Sequence, residues 1–190
     1  MILIINGPLG IGKTTIAWYL LEKFRVGVML DGDYIAAFHP FDHYNPTHLD
    51  YAYNTFRVLI AHHLANGIRD FVLNWVFENA ARLQQFRQSL EDLVTPVLVY
   101  RLTCTPEELE RRIRQRGLPE CEAEVGRGQE LLRLLDQAAM HGDLGHIVET
   151  THQSAVAVGE AIWQHVQHIT SANSKGFEAR QGSGVSGNAG

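Results

Sequence analysis

The sequence predicts an α/β protein in which a parallel sheet of five strands is covered by helices on both faces, a three-layer arrangement. Three observations predict it. A short apolar run at residues 1–6 opens directly into the glycine-rich string GPLGIGKTT and then into a stretch of helix formers. Four more short apolar runs follow, each separated from the next by a segment with apolar residues at helical spacing. Charged and turn residues gather just after the strands, at the edge where open parallel sheets place their ligands.

The elements follow in order. Residues 1–6 form the first strand, and residues 14–24 carry a helix. VGVML is the second strand and ends in Asp31-Gly32-Asp33. A variable stretch rich in proline and aromatics, YIAAFHPFDHYNPTH, precedes a helix over residues 49–66 that Gly67 stops. FVLNWVF is the third strand, and residues 78–93 form a helix with Leu83, Phe86, Leu90 and Leu93 on one side. VLVYRL is the fourth strand; Pro106 then opens a helix that runs to Gly117, since proline suits the first helical position. The polar segment GLPECEAEVGRG reads as mobile, and a helix over residues 129–140 leads to a fifth strand at residues 146–149. The last helix places Val158, Ile162, Val166 and Ile169 in register. From Ser171 to residue 190 the composition turns to Ser, Gly, Asn and Ala, which bury too little apolar surface to order a chain, so this tail is expected to be disordered.

A chain of 190 residues buries one substantial core, so a single domain over residues 1–170 is expected. The net charge of −5 argues against a nucleic-acid partner, whose phosphates attract basic surfaces. No segment reaches the roughly 20 apolar residues that span a bilayer, and two cysteines without C-x-x-C spacing indicate no disulfide framework. A cytoplasmic protein, monomer or homodimer, without nucleic-acid or membrane partners is the expectation. The ten histidines show no paired metal-ligand spacing, although His39 and His43 lie in the variable loop.

GPLGIGKTT has the physics of a phosphate grip, the Walker A pattern. Gly7, Gly10 and Gly12 let the backbone curl so that successive N–H groups, with those of Leu9, Ile11 and Thr15, point at phosphate oxygens. Lys13 brings a positive charge to the terminal phosphates and Thr14 a hydroxyl to Mg²⁺. Phosphoryl transfer also needs a group that orients or deprotonates an acceptor hydroxyl, and cations over the transferring group. Asp33 suits the first role, and Asp31, two residues away, suits Mg²⁺. The competing reading makes both aspartates caps of a following helix. Lysine is nearly absent, with Lys13, Lys23 and Lys175 the only three, and arginines crowd into residues 101–133. Guanidinium suits bidentate phosphate contact and stacking on a base, whereas a solvated helix face balanced by Glu107, Glu108 and Glu110 is the plainer account. Aromatics from Tyr34 to Phe77, among them Phe38 and Trp75, either wall an acceptor pocket or pack in the core.

On GPLGIGKTT, on LDGD at residues 30–33 and on LTCTPEELERRIRQRG at residues 102–117, the chain resembles small-molecule kinases of the P-loop superfamily. These include shikimate, gluconate and adenylylsulfate kinases and chloramphenicol phosphotransferase. The resemblance covers about residues 1–170 and implies a P-loop NTPase fold with strand order 2-3-1-4-5 and a lid at about residues 117–127. It implies ATP and Mg²⁺, with a small-molecule acceptor. By the same resemblance Arg112 and Arg116 stand at the lid entrance, one against adenine and the other on the phosphates. Arg127 acts from the far side of the lid, and Arg57 occupies the place of an arginine for an anionic acceptor. The chain departs from shikimate kinases at Asn74 and Trp75, where they carry glycines, and from adenylylsulfate kinases in Tyr34-Ile35 after LDGD. Both departures argue against those two acceptors. The expectation is therefore phosphoryl transfer to a hydroxyl of a metabolite, nucleoside or antibiotic, with Lys13, Asp33, Arg116 and Arg127 as catalytic groups. Asp33, Phe38, Arg57 and Trp75 are expected at the acceptor. The alternatives are a nucleotide-binding module without catalysis and a nucleotide-driven switch, although no N-K-x-D motif and no strand ending in Asp-Glu supports the latter.

Overall fold

The computed structural model of the chain describes residues 1–42, 44–117, 119 and 121–182, with the backbone alone over 173–182. Five parallel strands stand in the order β2-β3-β1-β4-β5. They are β1 (Ile2–Asn6), β2 (Val28–Asp31), β3 (Phe71–Trp75), β4 (Val97–Thr103) and β5 (His146–Glu149). Among them run α1 (Lys13–Leu21), α2 (Gly32–Ile35), α3 (Pro46–Ala65), α4 (Ala80–Glu91), α5 (Pro106–Arg114), α6 (Cys121–Ala139) and α7 (Ala155–Gly182).

Alternation along the strands divides the core in two. Ile2 and Ile4 of β1, Phe71 and Leu73 of β3, and Val97 and Val99 of β4 face one side, where Phe56 and Ile60 of α3 and Phe86 and Leu90 of α4 cover them. Leu3 and Ile5, Val72, and Tyr100 and Leu102 face the other side, covered by Ile16 and Leu20 of α1, Leu109 and Ile113 of α5, and Val158, Ile162 and Val166 of α7. Both faces being covered, the three central strands β3, β1 and β4 read as near-continuous apolar runs, with the polar Asn6, Asn74 and Arg101 buried toward their carboxyl ends, while edge strand β5 is largely exposed. Among the described residues no helix is long and apolar enough to cross a membrane.

Three expectations change. Helix α3 begins at Pro46 rather than Leu49, because Asn45 caps it by accepting a hydrogen bond from Thr47 N–H and Pro46 takes the first helical position. Helix α6 begins at Cys121, so most of the stretch expected as a mobile lid is helical; Leu118 and Glu120 lie outside the described residues. The glycines that read as a loop sit within the helix: a Cβ on Gly128 would lie 2.9 Å from Ile113 Cδ1 and 3.2 Å from the Leu9 carbonyl oxygen, so the small residue lets α6 approach both α5 and the phosphate loop. Helix α7 carries the backbone to Gly182, past the expected onset of disorder at Ser171, since extending a helix already docked through Val158, Ile162 and Val166 adds a hydrogen bond per residue fixed. The remainder of the expected tail, 183–190, lies outside the described residues.

Candidate phosphate-binding and acceptor site

The loop between β1 and α1 starts from a buried pin. Asn6 accepts hydrogen bonds through Oδ1 from Gly7 N–H at 2.8 Å and Phe77 N–H at 2.9 Å, which ties the carboxyl ends of β1 and β3 together. Gly7, Gly10 and Gly12 then take φ values of 153°, 84° and 104°, a path closed to most side chains, and bring the chain round to the α1 N-terminus at Lys13. The first-turn amides of α1 are thereby left facing the space above the sheet, where an anion is favoured. Lys13 folds over the loop and donates from Nζ to the Pro8 carbonyl at 3.0 Å. Burial lowers its ammonium to about 8; Asp33 and then Asp31 oppose the shift, and the Arg116 guanidinium adds to it.

Thr14, Asp31 and Asn74 form a compact polar triangle below the loop. Thr14 Oγ1 donates to Asp31 Oδ2 at 3.2 Å, while Asn74 Nδ2 donates to the same carboxylate oxygen at 2.9 Å and to Thr14 Oγ1 at 3.0 Å. Asp31 and Asn74 are register partners at the ends of β2 and β3, which brings them side by side. Asn74 Oδ1 is buried and has no hydrogen-bond donor among the described residues. A hydroxyl, a buried carboxylate and an unsatisfied amide oxygen fit a hydrated Mg²⁺, which takes one or two protein oxygens and fills its shell with water and phosphate. Thr14 and Asp31 would hold it.

Asp31 also accepts through Oδ1 from Asp33 N–H at 2.9 Å, capping α2. The capping reading of this residue is realised on Oδ1, while Oδ2 faces Thr14 and Asn74. The strand does not stay extended as far as Asp33; α2 begins at Gly32 and turns Asp33 away from Asp31 into a neighbouring cavity. Gly32 is needed there because a Cβ would stand 1.6 Å from Trp75 Cε3.

That cavity, of about 250 Å³, has Leu9 of the phosphate loop on one wall. Leu49, Tyr53, Trp75 and Leu131 supply its apolar walls, and Asp33, Glu78, Arg82 and Arg127 its charged rim. Burial pushes the Tyr53 phenol up to about 12, so it stays neutral. Trp75 lies where the acceptor reading places it. Phe38 does not: its ring packs edge-on against Phe41 in its own loop at 5.1 Å and against Tyr51 and His48 of α3 at 4.9 and 5.6 Å. Arg57 is also displaced from its expected place. Ala52, Phe56 and Ile60 turn one face of α3 to the core, and Arg57, one step round the helix, reaches the Ser89 carbonyl and lies 4.0 Å from Asp92 beside the end of α4. Arg82, which sequence reasoning passed over, lines the cavity instead. Its signal was position: Glu78 and Arg82 straddle the start of α4, just beyond the carboxyl end of β3, as Asn74 closes that strand.

The other arginines separate by role. Arg101 is buried in β4 and paired with Asp136 of α6 at 2.8 Å, Arg111 grips Glu108, and Arg114 pairs with Glu110 and Glu122. These are structural or solvent-side ion pairs. Arg112 donates from Nε to Glu108 at 2.8 Å, and from Nη1 to the Ile11 carbonyl and to Thr150 Oγ1, each at 3.0 Å. Glu108 is held down to about 2, first by Arg111 and then by Arg112, so the clamp on Arg112 is charged throughout the physiological range. Arg112 lines a second cleft of about 140 Å³ with Ile11, Gly12, Thr15, Thr150 and Gln153, on the opposite side of the phosphate loop from the acceptor cavity. Arg116, exposed and 3.7 Å from Glu124, is close enough to Lys13 for its charge to be felt there. Arg127 faces the acceptor cavity and pairs with Glu78 at 2.6 Å and Glu130 at 2.8 Å.

The glycine-rich loop closing β1, the polar triangle beneath it and the sheet order β2-β3-β1-β4-β5 define a P-loop α/β fold. The chain belongs to the AAA domain family AAA_33, which matches residues 2–139. Its fold is similar to that of the Deinococcus radiodurans tunicamycin resistance protein, with a TM-score of 0.62 and 19% identity over 87% of this chain and 94% of that one. It is similar also to shikimate kinase from Acinetobacter baumannii in complex with shikimate, with a TM-score of 0.58 and 20% identity over 88% of this chain and 93% of that one. A putative kinase from Chloroflexus aurantiacus follows the same fold, with a TM-score of 0.52 and 16% identity over 86% and 97% of the two chains. No curated protein matches the sequence.

Proposed function

We propose that the protein transfers the γ-phosphoryl group of ATP to a hydroxyl of a small molecule. The observation that carries this reading is the placement of Asp33 at the rim of a cavity that shares Leu9 with the phosphate loop, near enough to Lys13 for its charge to act there. The loop amides and Lys13 bind the β- and γ-phosphates, and Arg112 with Thr150 and Gln153 hold the base in the second cleft. Mg²⁺, when bound, neutralises charge across the two terminal phosphates. Asp33 orients the acceptor hydroxyl and takes its proton as the oxygen bonds to the γ-phosphorus and the bond to the bridging oxygen of ADP breaks. Arg116 meets the charge on the transferring group, and Arg127 closes the acceptor side.

A cavity large enough for a small molecule favours transfer over simple hydrolysis, which needs no acceptor pocket. Asp33→Asn is expected to keep nucleotide affinity and to lose about 10²–10⁴-fold in acceptor-dependent ADP release. Release at the full rate in that variant, or ADP release by the native protein that no hydroxylated acceptor stimulates, contradicts transfer.

A further inference from the structure

Resting on the phosphotransferase reading, the geometry points to the class of acceptor: we infer an uncharged hydroxylated molecule with a flat apolar body, selected by ion pairs that withhold the cavity's arginines from carboxylates. The apolar part follows from the walls. Leu49, Tyr53, Trp75 and Leu131, with Leu9, present aliphatic and aromatic surface on several sides, and Trp75 is only 6% exposed. Such a site takes a ring or an acyl body rather than a hydrated polyol.

The charge part follows from the rim. Two guanidiniums face the cavity, and each is already engaged. Arg82 donates to Asp50 at 3.0 Å, and Arg127 sits between Glu78 at 2.6 Å and Glu130 at 2.8 Å. Asp33 and Glu78 line the cavity beside these two cations, and Asp50 and Glu130 pair with them from outside the lining, so both guanidiniums of the rim are compensated, and Lys13 and Arg116 are directed to the phosphates. A carboxylated acceptor must displace an existing partner and approach Asp33, and the repulsion disfavours it. A neutral molecule meets neither cost. Its polar atoms can use the lone pairs of Glu78, the second face of the Arg82 fork and the neutral phenol of Tyr53.

The test uses three matched benzyl alcohols: 4-(hydroxymethyl)benzamide, methyl 4-(hydroxymethyl)benzoate and the anion 4-(hydroxymethyl)benzoate. Binding to the full chain with Mg²⁺ and a non-hydrolysable ATP analogue is followed by quenching of tryptophan fluorescence and by ligand-observed NMR. The amide and the ester are expected to bind at least about tenfold more tightly than the carboxylate. In Asp50→Asn, which frees Arg82 at an exposed position, and in Glu78→Gln, which releases Arg127 from one of its two carboxylate partners, that ratio is expected to fall by at least about threefold through a gain by the carboxylate. Equal or tighter binding of the carboxylate to the native protein, binding of none of the three, or an unchanged ratio in both variants overturns the inference. Substituting ATP and following ADP release separates this from the broader reading. Preferential binding of the neutral pair without transfer sinks the kinase and leaves the ligand class; transfer to all three alike sinks the ligand class and leaves the kinase.

Discussion

Lys13 carries the heaviest load of any single side chain. In the free protein its ammonium is lowered to about 8, mainly by burial, so near pH 8 about half the molecules lack that charge. A triphosphate beside it favours the charged form and raises the value again. Nucleotide binding at pH 8 is therefore expected to take up about half a proton per site, and affinity to fall as pH rises above 8, where protonating the lysine becomes part of the cost of binding. Titration calorimetry of Mg²⁺-ATP in two buffers of different ionisation enthalpy measures the uptake. Identical heats in both buffers at pH 8 would show that the lysine is fully charged before the nucleotide arrives. Asp31 and Asn74 show how a residue's role escapes its own letter. Asp31 reads as cap or as ligand; the cap is formed by Oδ1, and Oδ2, held by Asn74 and Thr14, is left to face the phosphate loop.

Helix α6 marks the boundary between what pattern and packing each decide. Gly126 and Gly128 stand two residues apart in the same helix and look alike in sequence. A Cβ on Gly126 meets nothing within 4 Å, whereas one on Gly128 falls against Ile113 and the Leu9 carbonyl. Gly126→Ala is thus expected to stabilise the protein by about 0.5–1 kcal/mol through helix propensity alone. Gly128→Ala is expected to be neutral or destabilising, because Ile113 and the phosphate loop must give way. Thermal unfolding should move upward for the first and not for the second; equal gains would mean that α6 does not rest on the phosphate loop. Secondary structure was otherwise legible where start and stop signals bracketed a helix. Pro106 and Gly117 announced the two ends of α5, whereas the four-residue α2 has too short a span to show any period.

Across the whole molecule, the alternation of strands and helices and the position of the phosphate grip were legible in local apolar runs and one glycine-rich loop, whereas the strand order β2-β3-β1-β4-β5 followed only from the resemblance to P-loop kinases. The acceptor side was less legible. Its walls come from four separate elements, α3, β3, α6 and the phosphate loop, and no short window of sequence shows which aromatics turn inward. Tyr53 and Trp75 do, while Phe38 packs against Phe41 and the first turns of α3 and Arg57 is claimed by the end of α4. Ion pairs such as Arg127 with Glu78 join residues far apart in the chain, so the electrostatic character of the cavity emerges only once the sheet has brought them together.

All of these readings depend on one act, the gripping of a triphosphate by the turn from Gly7 to Thr15 with Lys13 and a divalent ion. Calorimetric titration of the full chain with ATP at pH 7 in the presence of Mg²⁺ measures it most directly. Saturable one-to-one binding is expected, weakened at least about tenfold in Lys13→Ala. No heat from any purine triphosphate, or equal affinity in the native chain and Lys13→Ala, would contradict the account.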